Sequence, residues 1–344
     1  MVRTYTLAAV ALLGGCASNP STPGVDAGTP DASAATPIHF AVMVHLEGNL
    51  QFPTQQSLTT YDQSVRSTID LFSTNGGRLT VESEKPYADA AAKWAASDNA
   101  LKYSLSKGMG VGTHCDMTDN QTNASDFATN KGKVDAHVGA ENNLGCSGGW
   151  VKGDWANAAY DGGFKYLDGV VMRSYLGVPE ANRPVNPSTG KPYTDTEITT
   201  VVYHDPAPQD LMQRIYPRKL ANTNDLEGDA DGRLLLLTGE IGEITSLYEG
   251  RSNCFPNCML TQDDFDAVIS TLEQVYAAKD HSKFAMMYMH FPMGTLRPDP
   301  GGLTTDQKIQ LTSTWLQKMG ALQSEGKIVW VTMKEAYEGF VAAQ

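Results

Sequence analysis

The segment FAVMVHLEG, Phe40 to Gly48, decides how the rest of the chain is read. Apolar residues run unbroken from Phe40 to Val44, long enough for a buried strand and too short for a helix. The run stops at His45, Glu47 and Gly48. In parallel α/β folds ligands and metals collect at the carboxyl ends of strands, so an imidazole and a carboxylate there mark a site. Period-two alternation puts His45 and Glu47 on one face of the strand. Two later segments repeat the pattern: GMGVGTHCD reaches His114 and KFAMMYMHF reaches His290.

Outward from this strand, helical and strand patterns alternate. Helices are predicted over Thr60–Thr74, stopped by Asn75-Gly76-Gly77, and over an Ala-rich stretch from Pro86 to Ser106. Further helices span Thr261–Ala278, with Asp263 and Asp264 suiting the dipole of the first turn, Thr304–Ser324 and Met333–Val341. Between them lie strand-like runs at Arg78–Glu82, Gly145–Gly149, Phe164–Met172 (broken at Asp168-Gly169), Leu234–Leu237 and Ile328–Thr332. Alternation over roughly 300 residues predicts a parallel α/β fold, a barrel ahead of an open sheet. No Gly-x-Gly-x-x-Gly follows the first strand, which counts against a dinucleotide fold. Residues 177–230 are irregular and dense in Pro, Asn and Asp, so they read as a functional loop or an insertion.

Composition limits the partners. The formal charge of −13 over 344 residues disfavours nucleic acid and anionic membrane surfaces. The first 15 residues carry Arg3, an apolar run from Thr4 to Leu13, and Gly14-Gly15 before Cys16. That is a cleaved signal and too short for a span. LGGC resembles the bacterial lipoprotein box, which implies a lipid on Cys16 and membrane contact through that lipid alone. Ala17, rather than Asp, after the Cys implies the outer membrane or cell surface by resemblance to enterobacterial sorting. Residues 16–37 are rich in Ser, Thr, Pro, Ala and Asp and read as a flexible tether, leaving 38–344 as the folded domain.

An exported chain meets an oxidising compartment. Cys254 and Cys258 would close a small loop, and Cys115 and Cys146 would then pair by elimination, although four cysteines allow three connectivities. A four-cysteine zinc site is the rival reading; the spacings lack the usual C-x-x-C knuckles.

The order of these motifs resembles the polysaccharide deacetylases of the glycoside hydrolase/deacetylase superfamily. Val44-His45-Leu46-Glu47-Gly48 stands where that family has T-F-D-D-G, and Gly112-Thr113-His114 where it has H-[ST]-x-x-H. Cys146-Ser-Gly-Gly-Trp150 takes the place of the R-P-P-x-G loop, and Met287-Tyr-Met-His290 that of the late L-x-H strand. The resemblance spans about residues 38–340, through order and spacing more than identity. It implies a distorted (β/α) barrel, usually seven-stranded, a divalent metal such as zinc, and a glycan substrate. The family's metal-binding Asp falls on Glu47 and its base Asp on Leu46; its second metal His falls on Thr118, and its motif Arg and prolines on Ser147, Gly148 and Gly149.

A rebuilt site follows from ligand chemistry. A catalytic zinc takes three protein ligands and keeps one position open. Glu47 and His114 are two, and Asp116 is a third. His45 is either a ligand or the group that takes the proton from water, with Asp154 as its alternative; His290 would protonate the leaving group. Trp150 and Trp155 either stack on a sugar or pack inside. The expectation is an envelope-anchored, metal-dependent hydrolase that deacylates a glycan. Two alternatives stand beside it: a non-catalytic glycan-binding lipoprotein on the same barrel, and glycosidic cleavage by the carboxylates Glu47 and Glu240. The acidic run Asp225-x-Glu227-x-Asp229-x-Asp231 lacks the Glu of an EF-hand and defaults to a solvated turn. His39, His137, His204 and His281 lack a strand-end context and are expected on the surface.

Overall fold

The first strand, β1 (Ile38–Leu46), is paired along both edges by parallel neighbours, and side chains on both of its faces are buried. The computed structural model describes residues 35–48, 50–115, 123–149, 152–255 and 257–344. In chain order the further strands are β2 (Thr80–Ser83), β3 (Gly110–His114), β4 (Gly145–Ser147), β5 (Tyr166–Leu167), the small hairpin β6 (Val185–Asn186) and β7 (Lys191–Pro192), β8 (Arg218–Leu220), β9 (Leu234–Leu236), β10 (Glu240–Glu243), β11 (Ala285–His290) and β12 (Ile328–Trp330).

The main sheet runs β10-β11-β1-β2-β3-β4-β5-β9-β8, with β12 also on β1. Every pair in it is parallel except β8 with β9. β9 and β10 are nearly one segment, yet the first pairs with β5 and the second with β11. The sheet is therefore curled so strongly that residues 234–243 serve both of its ends. Counting β9–β10 once and setting aside the antiparallel β8 and the short β12, the curl presents the strand positions of a distorted seven-stranded barrel, as the motif order implies. Gly239 makes the change of partner feasible: a Cβ there would meet the Met286 carbonyl oxygen at 2.2 Å.

Alternation along β1 sorts its side chains. Phe40, Val42, Val44 and Leu46 face the helices and join the core of Leu58, Val65, Phe72, Trp315 and Trp330. Ala41 and Met43 face the barrel interior with Tyr166, Leu237, Met286 and Tyr288. Trp315 is fully buried among Phe40, Phe72, Phe265 and Trp330, and each such ring contributes about 1.5–3 kcal/mol by burial. Thr54, Thr261, Thr304 and Thr332 each cap the helix that follows through a capping box.

Several sequence expectations are corrected. The long helix from Pro86 is two helices, Lys85–Trp94 and Ala100–Ser106, because Asn99 caps the second with its side chain. Two helices stand beyond those expected above, Ala124–Val138 and Trp155–Asp161. The run Phe164–Met172 keeps only β5 as strand. Residues 177–230 are not formless: Thr194 caps the short helix Asp195–Thr200, and β8 pairs with β9. The cysteines pair as expected, Cys115 with Cys146 and Cys254 with Cys258. The signal, Cys16 and most of the tether lie outside the described residues.

Candidate metal centre

Register carries the site. Met43 lies opposite His290 and His45 opposite Glu82, while Glu82 lies opposite Gly112 and His114 opposite Ser147. Five parallel strands thus bring His45, Glu82, His114, Ser147 and His290 to one end of the sheet, and Glu47 sits just past β1. Among the described residues, His45, Glu47 and His114 form the group able to hold a metal ion, with one donor atom of each within 4.8 Å of the others.

The orientation of the two imidazoles is specific. His45 Nδ1 is 3.5 Å from Glu47 Oε1, and its Nε2 faces Glu82 Oε2 at 3.1 Å. His114 Nε2 is 2.9 Å from Glu47 Oε2, and its Nδ1 is 2.7 Å from Ser147 Oγ. Each ring points one nitrogen at Glu47 and is held by a hydrogen bond at the other, the arrangement that fixes tautomer and direction in metal-binding histidines. The rings stack with centroids 4.4 Å apart. The His290 ring centroid lies 4.4 Å from that of His45; among the described residues its buried Nε2 has no hydrogen bond, and it is 4.0 Å from Glu47 Oε1.

Ser147 and Gly148 stand where the resemblance implied an Arg and a proline, and the structure gives both a task. Ser147 Oγ holds His114 and reaches within 3.3 Å of His45 Nε2. Gly148 has φ +68°, and a Cβ there would meet His114 Cε1 at 2.5 Å. A residue with a side chain at this position would displace the imidazole.

Charge is concentrated here. Burial alone would raise Glu47, but hydrogen bonds from His114 and His45 hold its carboxyl well below the usual range. Burial lowers His45, yet Glu47 and Glu82 outweigh it and raise the imidazole well above its ordinary value. Asp168 is fully buried nearby; burial and the neighbouring Glu82 push its carboxyl well up. Burial pushes His290 down to about 3, helped by the charge of His45.

Above the donors is a cavity of about 460 Å³, a size suited to small ligands. His45, Glu47, His114 and His290 form one wall. Arg173, Tyr203, His204, Glu240 and Arg251 also line it. The Arg173 guanidinium lies over the Tyr203 ring at 4.9 Å, and Arg251 pairs with Glu243. His204 is exposed, as expected, and lies at the cavity. His137 departs from the surface expectation: it is buried, bonded to the Ala88 carbonyl and to Asn99. Glu82 and Ser147 read as ordinary strand residues in the sequence, and only the pairing register reveals them.

The other expected site residues lie elsewhere. Asp154 is exposed and caps helix Trp155–Asp161, accepting from the Asn157 backbone, so it does not line the cavity. Trp155 is fully buried with Nε1 bonded to the Ser174 carbonyl, which removes it as a sugar platform. Leu46 has no titratable group and faces the helices, so nothing at this position stands in for a base. Asp116 and Trp150 lie outside the described residues.

Glu82 is a positioning residue. Glu82→Gln is expected to weaken binding of zinc about 10–100-fold, measured by competition with a chromogenic chelator. Unchanged affinity would remove Glu82 from the site.

No protein-family model matches the chain, and no curated protein matches it in sequence. Solved structures do resemble it. Three carry provisional names: a polysaccharide deacetylase from Pseudomonas aeruginosa PAO1 (12% identity, 88% of this chain, 90% of that one, TM-score 0.51), a polysaccharide deacetylase from Mycobacterium smegmatis (10%, 93% and 95%, TM-score 0.52), and a glycoside hydrolase/deacetylase from Parabacteroides distasonis (10%, 88% and 71%, TM-score 0.50). Identity this low speaks for the backbone, and on that ground the chain has the distorted barrel fold of the polysaccharide deacetylase structures.

Proposed function

We propose that this protein is a metal-dependent hydrolase that removes acyl groups from a polysaccharide or other glycan, held at the bacterial cell envelope by a lipid on Cys16. The observation that carries the enzymatic part is the orientation of His45 and His114, each aimed at Glu47 and each secured from behind by Glu82 or Ser147. The fold supports the glycan part, and the LGGC segment supports the anchor.

His45 Nδ1, Glu47 and His114 Nε2 would hold the ion, a donor set of nitrogen and carboxylate oxygen that suits zinc. A divalent ion there polarises an acyl carbonyl and makes a water nucleophilic near neutral pH. The chain's own residues do the rest. Glu82 and Ser147 keep the imidazoles in place. Val171, Ile241 and Leu247 give the cavity an apolar share that limits competing water. Burial and the neighbouring His45 push the His290 imidazole down, which favours its neutral form.

Chelation tests the reading. Dialysis against EDTA is expected to abolish release of acetate from N- or O-acetylated oligosaccharides, and added zinc to restore it. New reducing ends without acetate would favour glycosidic cleavage by Glu47 and Glu240. Binding of the oligosaccharides with neither product would mean a non-catalytic glycan receptor.

A further inference from the structure

Three buried carboxyls stand near the donors without belonging to them: Glu82, Asp168 and Glu240. Glu82 is engaged with His45, and Asp168 stands beside Glu82 and does not line the cavity. Of the three, Glu240 alone lines the cavity. It is 8% exposed, and among the described residues its Oε2 has no hydrogen-bond partner. Its backbone is fixed: the N–H donates to the Thr238 carbonyl, and its carbonyl accepts from Arg214 Nε at 3.0 Å. A carboxyl so placed is presented to whatever occupies the cavity.

We propose that Glu240 is a catalytic residue, the general acid that protonates the leaving amine or alcohol as the acyl group is cut from the glycan. The inference rests on the deacylation reading above. Water oxygen bonds to the acyl carbon and loses a proton to solvent. The bond from that carbon to the sugar nitrogen or oxygen then breaks, and the leaving atom keeps the electron pair and takes the proton of Glu240. Glu240 is left as a carboxylate and regains its proton from solvent.

The electrostatics agree with this role. Burial pushes the Glu240 carboxyl up to about 7. His45 on β1, Arg214 and Arg251 pull it down, while Glu243 on its own strand pushes it up; the Tyr288 phenol of β11 is held neutral by burial. Below its pKa the group is an acid, as carboxyls in apolar pockets are in glycosidases. Activity that needs this form falls as pH rises through the pKa. An added cation in the donor set moves that limb lower, since it favours the carboxylate.

The test is Glu240→Gln, assayed with two substrates. Toward an N-acetylated oligosaccharide kcat is expected to fall about 10²–10⁴-fold, with KM and zinc content little changed and the alkaline limb gone. Toward para-nitrophenyl acetate, whose leaving group departs without a proton, the variant should stay within a few fold of the parent. In metal-free protein, the parent should show a protonated-carboxyl infrared band that fades as pH rises through about 7 and is absent from the variant. Equal losses on both substrates, or a retained alkaline limb, would overturn the assignment. If the parent releases no acid from any acylated glycan while the infrared band behaves as stated, the deacylation reading has failed rather than the protonation state of Glu240.

Discussion

Glu47→Gln is expected to lose stoichiometric zinc and about a hundredfold or more of acetate release, with the fold intact. Glu47 is the one carboxylate in the donor set, and both imidazoles converge on it, His114 Nε2 at 2.9 Å and His45 Nδ1 at 3.5 Å. The amide keeps the size of the side chain and removes its charge, so packing changes little. Glu47 sits 40% exposed at the cavity, outside the core, which also protects folding from the change. The loss follows from what the ion supplies, several kcal/mol of transition-state stabilisation at 1.36 kcal/mol per tenfold. Metal content by mass spectrometry and acetate release are the two readouts. A variant that keeps one equivalent of zinc and its activity would place the centre elsewhere. His114→Ala should behave alike and leave Ser147 without its partner.

Replacing Cys115 and Cys146 by Ser should cost about 3–4 kcal/mol and lower Tm by about 5–10 °C. The bridge joins residues 31 apart, so its loss frees a large loop in the unfolded chain. It also sits beside the site, next to His114 and Ser147 on neighbouring strands, where the Cys115 N–H donates to the Ser147 carbonyl. Weaker zinc binding should therefore accompany the lost stability. The Cys254–Cys258 bridge closes a separation of 4 and is expected to contribute only about 2 kcal/mol, without effect on the metal. Calorimetry of the two double-serine variants decides. Equal losses, or zinc affinity untouched by the first pair, would contradict this account.

The two expectations differ in how far they could be read without coordinates. An apolar run that stops at His45 and Glu47 is a local signal, and period-two geometry is enough to put both side chains on one face. The same holds for His114 and His290, since a strand end is legible from its own residues. Strand–helix alternation put a barrel ahead of an open sheet, the motif order implied the distorted barrel, and the cysteine spacing favoured one of three pairings. His45 changed role between the two levels. The sequence left it between ligand and proton acceptor, and Glu82 behind its Nε2 places it with the donors.

Glu82 could not be singled out, because within RLTVES it is an ordinary alternating strand residue. Its importance lies in standing opposite His45 across a pairing between segments some forty residues apart. Trp155 and Asp154 were left open for a related reason: a side chain's identity does not say whether a helix turns it inward or uses it as a cap. His204 and Glu240 come from stretches where no periodicity specifies a face, and the bend at Gly239 that moves the chain from β5 to β11 is a contact between backbones. The sequence by itself determined the strand ends, the donor types and the barrel, because hydrophobic periodicity acts over a few residues. Which carboxyls stand behind or beside those donors was decided by the tertiary structure alone, because register and curl join residues that the chain keeps far apart.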